Sequence, residues 1–241
     1  MRAKVTLSYD GSRFNGFQSQ KETKNTVQET LQSAFLALNI EEKLTASGRT
    51  DKGVHAMGQV LHIDLPSFWT DLNRLKFGLN RIISPYIHIK DIKKVDDNFH
   101  ARYDAKKRVY RYIISTKRVS VFASSYITFV PIKDPYKIKD AIKLFEGEHN
   151  FKNFKKTGSD TKNDIRTIYK TDFYKFGDYY IFYFEGNGFL RSQVRMMVAF
   201  LLAISDGKLS KDELKLQLQN RSVYLKTLAP PNGLYLARVK Y

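Results

Sequence analysis

Ala46-Ser47-Gly48-Arg49-Thr50-Asp51-Lys52-Gly53-Val54-His55-Ala56 sits directly before an apolar stretch running from Met57 to Leu65. The run is short and polar and carries two glycines. It reads as a loop delivered by a strand that begins at Leu44 to Ala46 and continued by another through Val60, Leu61, Ile63 and Leu65. A loop pinned by sheet on both sides keeps its side chains in fixed geometry, which suits a functional site. Asp51 lies between the cations Arg49 and Lys52. A carboxylate in that setting serves as a nucleophile, a base or half of an ion pair. The plainer reading is a surface turn, because Asp-Lys-Gly is common turn chemistry.

Upstream, Ala3, Val5, Leu7 and Tyr9 alternate with polar residues, the pattern of a half-buried strand. It runs into Asp10-Gly11-Ser12-Arg13-Phe14-Asn15-Gly16-Phe17-Gln18, a loop in which Arg13 and Gln18 suit a phosphate or base and Phe17 suits stacking, or else a structural loop whose aromatics plug the core. Thr26-Val-Gln-Glu29 has the form of a capping box, and Val27, Leu31, Ala34, Phe35 and Leu38 follow at helical spacing. Downstream, Leu72, Leu75, Leu79 and Ile82 mark a second helix, and Ile87 and Ile89 begin another strand.

Phe99-His100-Ala101-Arg102 leads into Lys106-Lys107-Arg108-Val109-Tyr110-Arg111-Tyr112. In a strand, Tyr110 and Tyr112 share one face and Arg111 takes the other. The charges here suit RNA phosphates or, equally, protection of an edge strand. Asp134-Pro135 is a helix entry, with Gly147 expected at that helix's end. Residues 152–163 read as a polar, basic, mobile loop. Ile165, Ile168 and Phe173 suggest a strand, and Tyr180, Phe182 and Phe184 one face of the next. Gly186 to Arg191 is expected to open a long helix with Leu190, Val194, Met197, Leu201 and Ile204 buried and Arg191 and Arg195 on one flank. Ser210-Lys-Asp-Glu213 caps a shorter helix.

The chain has 241 residues, enough for one large domain or two small ones. It contains no cysteine, which excludes disulfides and thiolate metal sites and suits a reducing compartment. Neither a signal segment nor a membrane-spanning run is apparent, so the expectation is a soluble cytoplasmic protein with no membrane partner. A net charge of +17, from 41 Lys and Arg against 24 Asp and Glu, points to a polyanion such as nucleic acid, or to a solvated basic surface. The pattern gives an α+β class with mainly antiparallel pairing.

Gly48 to Ala56 resembles the catalytic loop of the TruA family of tRNA pseudouridine synthases. The resemblance continues along nearly the whole chain: the loop after the first strand, Phe99-His100-Ala101-Arg102, Arg108-x-Tyr110-x-Tyr112, Gly188-Phe189-Leu190 followed by Val194-Arg195, and the closing Pro231-Asn232-Gly233-Leu234-Tyr235-Leu236. It implies a pseudouridine synthase fold of two ferredoxin-like halves sharing a sheet with helices on one side, residues 1–104 carrying the Asp51 loop and 105–241 completing the cleft. By the same resemblance Asp51 is the catalytic residue, Arg195 its partner and Tyr110 the active-site tyrosine. Leu234, or else Leu236, packs beside the target base. The implied substrate is tRNA, at uridines 38, 39 and 40 of the anticodon stem-loop, held by a homodimer, with no cofactor and no metal. Arg49 is expected to assist the flipped base, and Arg13, Phe17, Gln18, Lys107, Arg108, Arg111 and Arg191, with Lys106, Lys155 and Lys156, to contact RNA.

The chain departs from the family pattern at Ser84-Pro85-Tyr86, which lacks the usual following aspartate, at Asn150 for the usual aspartate and at Gln193 for the usual methionine. Those departures keep a paralogue acting on ribosomal RNA as an alternative. A catalytically silent RNA-binding protein is a second one, opposed by the retained Asp51, Tyr110 and Arg195. A metal hydrolase built on Asp51, His55, His62 and Asp64 lacks a strong ligand spacing.

Overall fold

In the computed structural model, residues 1–83, 85–158 and 163–241 are described. Ser84 of the altered proline segment and residues 159–162 of the basic loop therefore lie outside the described residues. The chain divides into two compact units, residues 1–106 with 235–241, and residues 107–234. The class is α+β with mainly antiparallel strands.

In the first unit, β1 (Arg2–Tyr9) is flanked by β3 (His55–Asp64) and β4 (Ile87–Lys94), both antiparallel. The short β2 (Thr45–Ala46) pairs with β3 at His62 and Leu61. At the other end of β3, β10 (Leu234–Lys240) pairs in parallel, with Tyr235 opposite His55 and Leu236 opposite Ala56. Chain order alone assigns this strand to the second half, but its partner in this unit is β3. Ala3, Val5, Leu7 and Tyr9 form the buried face of β1, as their alternation requires. Helix α1 (Val27–Leu36) contributes Val27, Leu31, Ala34 and Phe35 to that core.

Helix α2 (Leu72–Ile83) buries Leu75, Leu79 and Ile83, spaced four apart, and leaves Ile82 exposed. The stripe therefore ends one residue later than its spacing from Leu72 suggested. Asn80 ties α2 to β4 by exchanging two hydrogen bonds with the Ile89 backbone, 3.0 and 2.7 Å long. At the start of α1 only half of the expected capping box forms. Thr26 accepts from the Glu29 amide at 3.2 Å, while the Glu29 carboxylate takes the Ser19 hydroxyl at 2.8 Å and the Thr26 amide donates to Lys24 O.

In the second unit, the strand order is β5 (Lys107–Ser115), β9 (Tyr179–Gly186), β8 (Ile165–Phe176) and β7 (Gly147–Asn150), all antiparallel. The two-residue β6 (Thr128–Phe129) pairs in parallel with β5. Helices α3 (Pro135–Ala141), α4 (Gln193–Ser205) and α5 (Lys211–Leu218) complete it. Asp134 caps α3 by accepting from Tyr136 and Lys137, and Ser210 with Glu213 forms a complete capping box on α5. Gly147 does not end α3. A 3-10 turn, Ile142–Phe145, intervenes, and Gly147, at φ 101°, opens β7. The core is aromatic, with Phe145, Phe154 and Phe200 in contact and Phe173 against Phe182.

Candidate active site

Asp51 is half-buried, in a loop held from three sides. Thr50, one residue before it, shares a 2.8 Å hydrogen bond between its Oγ1 and the Tyr9 hydroxyl and accepts the Phe17 amide on its carbonyl at 3.1 Å. Val54 closes the turn by donating to Asp51 O at 3.1 Å, with Gly53 at φ 78°. On the entering side, Ser47 donates to Gln59 Oε1 at 2.7 Å, and Gln59 Nε2 returns a bond to Gly48 O at 3.0 Å.

The Asp10–Gln18 loop is docked directly on this turn. A Cβ on Gly11 would lie 1.9 Å from Val54 O, so only glycine lets the two backbones approach. The Gly11 amide donates to His55 Nδ1 at 3.1 Å, and Asp10 Oδ1 stands 3.3 Å from the same nitrogen. The His55 ring is buried and stacks on Tyr235 of β10, centroids 4.8 Å apart. Sequence reasoning missed this support, because Tyr9, Thr50, His55 and Tyr235 are distant in the chain and no local pattern pairs them.

Around the same loop, Arg49, Arg13 and Gln18 are exposed, and the Arg13 guanidinium lies over the Tyr86 ring at 4.9 Å. Phe17, expected to stack on a base, is instead buried in the core, with its ring 6.1 Å from that of Tyr9. An aromatic ring enclosed in this way presents no open face for stacking. The departure from the expectation has a simple cause: Phe17 follows Gly16, whose φ of 104° turns the chain inward against Thr50 and Asp51.

In the second unit, Tyr110 lies on β5 opposite Phe184, and its ring meets Phe189 edge-on at 5.1 Å. Arg195 occupies the first turn of α4. Its Nε donates to Ala229 O at 2.7 Å, and the Ala229 amide donates back to Arg195 O at 3.1 Å. Gln193 is buried, and its Oε1 accepts from the Leu190 amide at 2.7 Å, an anchor a methionine would not supply. Leu190 and Arg191 precede α4 rather than belonging to it, with Ser192 left-handed at φ 59° between. Arg191 thus does not share a helix flank with Arg195 and turns instead toward the Thr157 and Gly158 carbonyls. Leu234 and Leu236 are both buried on β10.

The basic residues differ in how far they are engaged. Lys107 Nζ is 2.8 Å from Glu185 Oε1, Arg108 donates to Asn187 O at 2.7 Å, and Lys155 pairs with Asp164 at 2.6 Å. Arg111, Lys106 and Lys156 are differently placed: Arg111 and Lys106 are exposed, and Lys156 is also solvent-facing. Among the described residues, no three His, Asp or Glu side chains come together as a metal site. Among them, too, no helix is long and apolar enough to cross a membrane.

The model of the tRNA pseudouridine synthase family matches residues 6–104 and 141–241, so that Asp51 and Arg195 fall in separate matched segments and Tyr110 lies between them. A tRNA pseudouridine synthase A of Campylobacter jejuni subsp. jejuni serotype O:6 is 43% identical over 241 residues, covering 100% of both chains. The protein of that name from Helicobacter hepaticus is 41% identical, covering 99% of this chain and 98% of its own. That of Streptococcus mutans serotype c is 39% identical, over 100% and 99%. With two-fifths of its residues shared from end to end and both segments matched, the chain belongs to the tRNA pseudouridine synthase family.

Proposed function

We infer that the tRNA uridines isomerised by this chain lie in the anticodon stem-loop and that Asp51 carries the chemistry. The observation that supports the role of Asp51 is its turn, fixed by Tyr9, Phe17 and Gln59 with Asp51 half-buried, while the anticodon stem-loop rests on the resemblance. A rigid turn holding one acidic group is what a reaction with little tolerance for misplacement requires.

The isomerisation breaks the bond from ribose C1′ to uracil N1, turns the base, and joins C1′ to C5. The C5 proton then leaves and N1 regains one, so the atoms balance without a redox partner. The target base leaves its stack first, at a cost of a few kcal/mol that is smaller in a hairpin loop than in a paired stem. Asp51 acts as nucleophile on the sugar or base, or as the base that takes a ribose proton. Arg195 supplies the counter-charge that a desolvated carboxylate needs. Tyr110 stacks on the uracil, and its phenol oxygen takes the C5 proton as its own proton passes to solvent. Arg49, exposed beside Asp51, fills the vacated stack or holds a phosphate, and Leu234 lies against the base. A cytoplasmic homodimer gripping one tRNA belongs to the same reading, on the strength of the resemblance.

The test is release of tritium from C5-labelled uridine in tRNA, with the labelled positions mapped. Wild type is expected to release it from the anticodon stem-loop and Asp51→Asn to release none while still binding tRNA. Turnover by Asp51→Asn, or product mapped only to other arms, overturns the reading.

A further inference from the structure

The run Ala229-Pro230-Pro231 carries two consecutive residues without an N–H, so it is fastened largely through its carbonyls. Ala229 O takes Arg195 Nε at 2.7 Å, and the next carbonyl, Pro230 O, takes the hydroxyl of Tyr112 at 2.7 Å. Tyr112 is the second tyrosine of the Arg108-x-Tyr110-x-Tyr112 run, and no part of the reaction above uses it. It is fully buried on β5, where strand alternation sets it on the same face as Tyr110.

Its hydroxyl belongs to a chain of contacts. Thr128 Oγ1 lies 2.9 Å from it and 2.9 Å from Asn232 Oδ1, and Asn232 Nδ2 donates to Ser124 O and Ile127 O. Gly233 completes the fastening. A Cβ there would sit 2.6 Å from both Ile113 O and Thr128 Oγ1, so the backbone is pressed flat on β5. Burial pushes the Tyr112 hydroxyl up to about 12, against the opposing pull of the Thr128 hydrogen bond and the Arg195 charge. It therefore keeps the proton it donates to Pro230 O.

We propose that Tyr112 is the positioning residue for Arg195: its hydroxyl fixes the Ala229–Pro230 carbonyls, and these aim the guanidinium. The peptide before a proline has a restricted backbone, so a hold on Pro230 O is transmitted to Ala229 O with little slack. The inference rests on the reading of Arg195 as the counter-charge for Asp51. Losing the hydroxyl leaves Arg195 its charge but loosens the carbonyl that orients it. Misplacement of that kind lowers the rate of the chemical step without weakening RNA binding.

The experiment compares Tyr112→Phe with wild type in kcat, KM for tRNA, tRNA dissociation constant and melting temperature. The expected result is a fall in kcat of about tenfold or more, with KM and binding unchanged within about twofold. Thr171→Val, which removes another buried hydroxyl of the same unit, bonded to Ile142 O and Glu146, is the control. It should lower the melting temperature and leave kcat alone. Arg195→Lys should lower kcat, and adding Tyr112→Phe to it should cost little more. Should Tyr112→Phe fail to fold, Thr128→Val is expected to lower kcat and Thr128→Ser to retain it. A normal kcat in Tyr112→Phe, equal kcat in the two Thr128 variants, or the same kcat loss in Thr171→Val overturns the proposal. If Arg195→Lys turns over normally, the counter-charge reading fails as well. If only the Tyr112 and Thr128 variants are silent, this inference alone falls.

Discussion

The Tyr9 hydroxyl and Thr50 Oγ1 are 2.8 Å apart in a buried hydrogen bond that joins the end of β1 to the residue before Asp51. Tyr9→Phe keeps the ring and removes this bond. The expected cost is about 1 kcal/mol of stability, with a fall in kcat and an unchanged dissociation constant for tRNA. Thermal melting and single-turnover kinetics check it, and a variant with wild-type kcat would show that the turn is held without Tyr9.

Asp51→Asn keeps the size of the side chain and removes its charge. Product formation should drop by about a thousandfold or more, as for loss of a nucleophile or essential base, while the melting curve and tRNA binding stay close to wild type.

Gly11 and Gly48 make a contrasting pair at the same site. A Cβ at Gly11 would meet Val54 O at 1.9 Å, whereas one at Gly48 meets nothing within 4 Å. Gly11→Ala should destabilise the protein by about 3 kcal/mol or more, and Gly48→Ala should change stability by less than about 0.5 kcal/mol. Chemical denaturation of both variants is the measurement, and equal midpoints would contradict the docking of the two loops.

His62 is buried and its Nδ1 accepts from the Ala101 amide at 3.1 Å. Burial, and then the charges of Arg2 and His100, hold its pKa below 6.5, with Asp64 and Asp104 acting the other way. The folded state thus prefers the neutral ring. The stability this contributes is present above the unfolded value of 6.5 and is lost as pH falls below it. Melting temperature should decline on acidification through that range, and His62→Gln should flatten the decline.

The charges of β5 should separate in a salt titration of tRNA binding. Arg111 is exposed, and if it meets a phosphate, Arg111→Ala lowers the magnitude of the salt slope by about one. Lys107 is engaged with Glu185, whose carboxylate also takes the Tyr183 hydroxyl at 2.9 Å. Lys107→Ala should therefore show mainly as lost stability, because it removes a cation from beside a buried carboxylate.

Alternation and helical spacing located β1, β3, β5 and β9 and the buried stripes of α1 and α4, since those signals are local and repeat every two or every 3.6 residues. Caps were legible for the same reason where both partners lie within one turn, as at Ser210 and Glu213. The Thr26 cap was half right because Glu29 found a partner outside its own helix, in Ser19. The burial of Phe17 and the position of Arg191 ahead of α4 follow left-handed residues at Gly16 and Ser192, which redirect the chain without changing its hydrophobic pattern. The Asp51 loop stands out from its own residues, whereas the roles proposed for Asp51, Tyr110 and Arg195 rest on resemblance to a family. The contacts of Tyr9 and His55 around the Asp51 turn, and of Ala229 with Arg195, depend on pairings tens of residues apart that no periodicity announces.

The pairing of β10 with β3 has a consequence for how the protein is made. Tyr235, whose ring covers His55, emerges from the ribosome only after the whole of residues 107–234. Domains generally fold in order of synthesis, yet here the unit begun first is finished last. The β3 edge beside the Asp51 turn stays open through the folding of the intervening unit, so an unfinished nascent chain lacks the stacked ring that backs the turn. Synthesis of β10 and completion of the support behind the Asp51 turn become a single event.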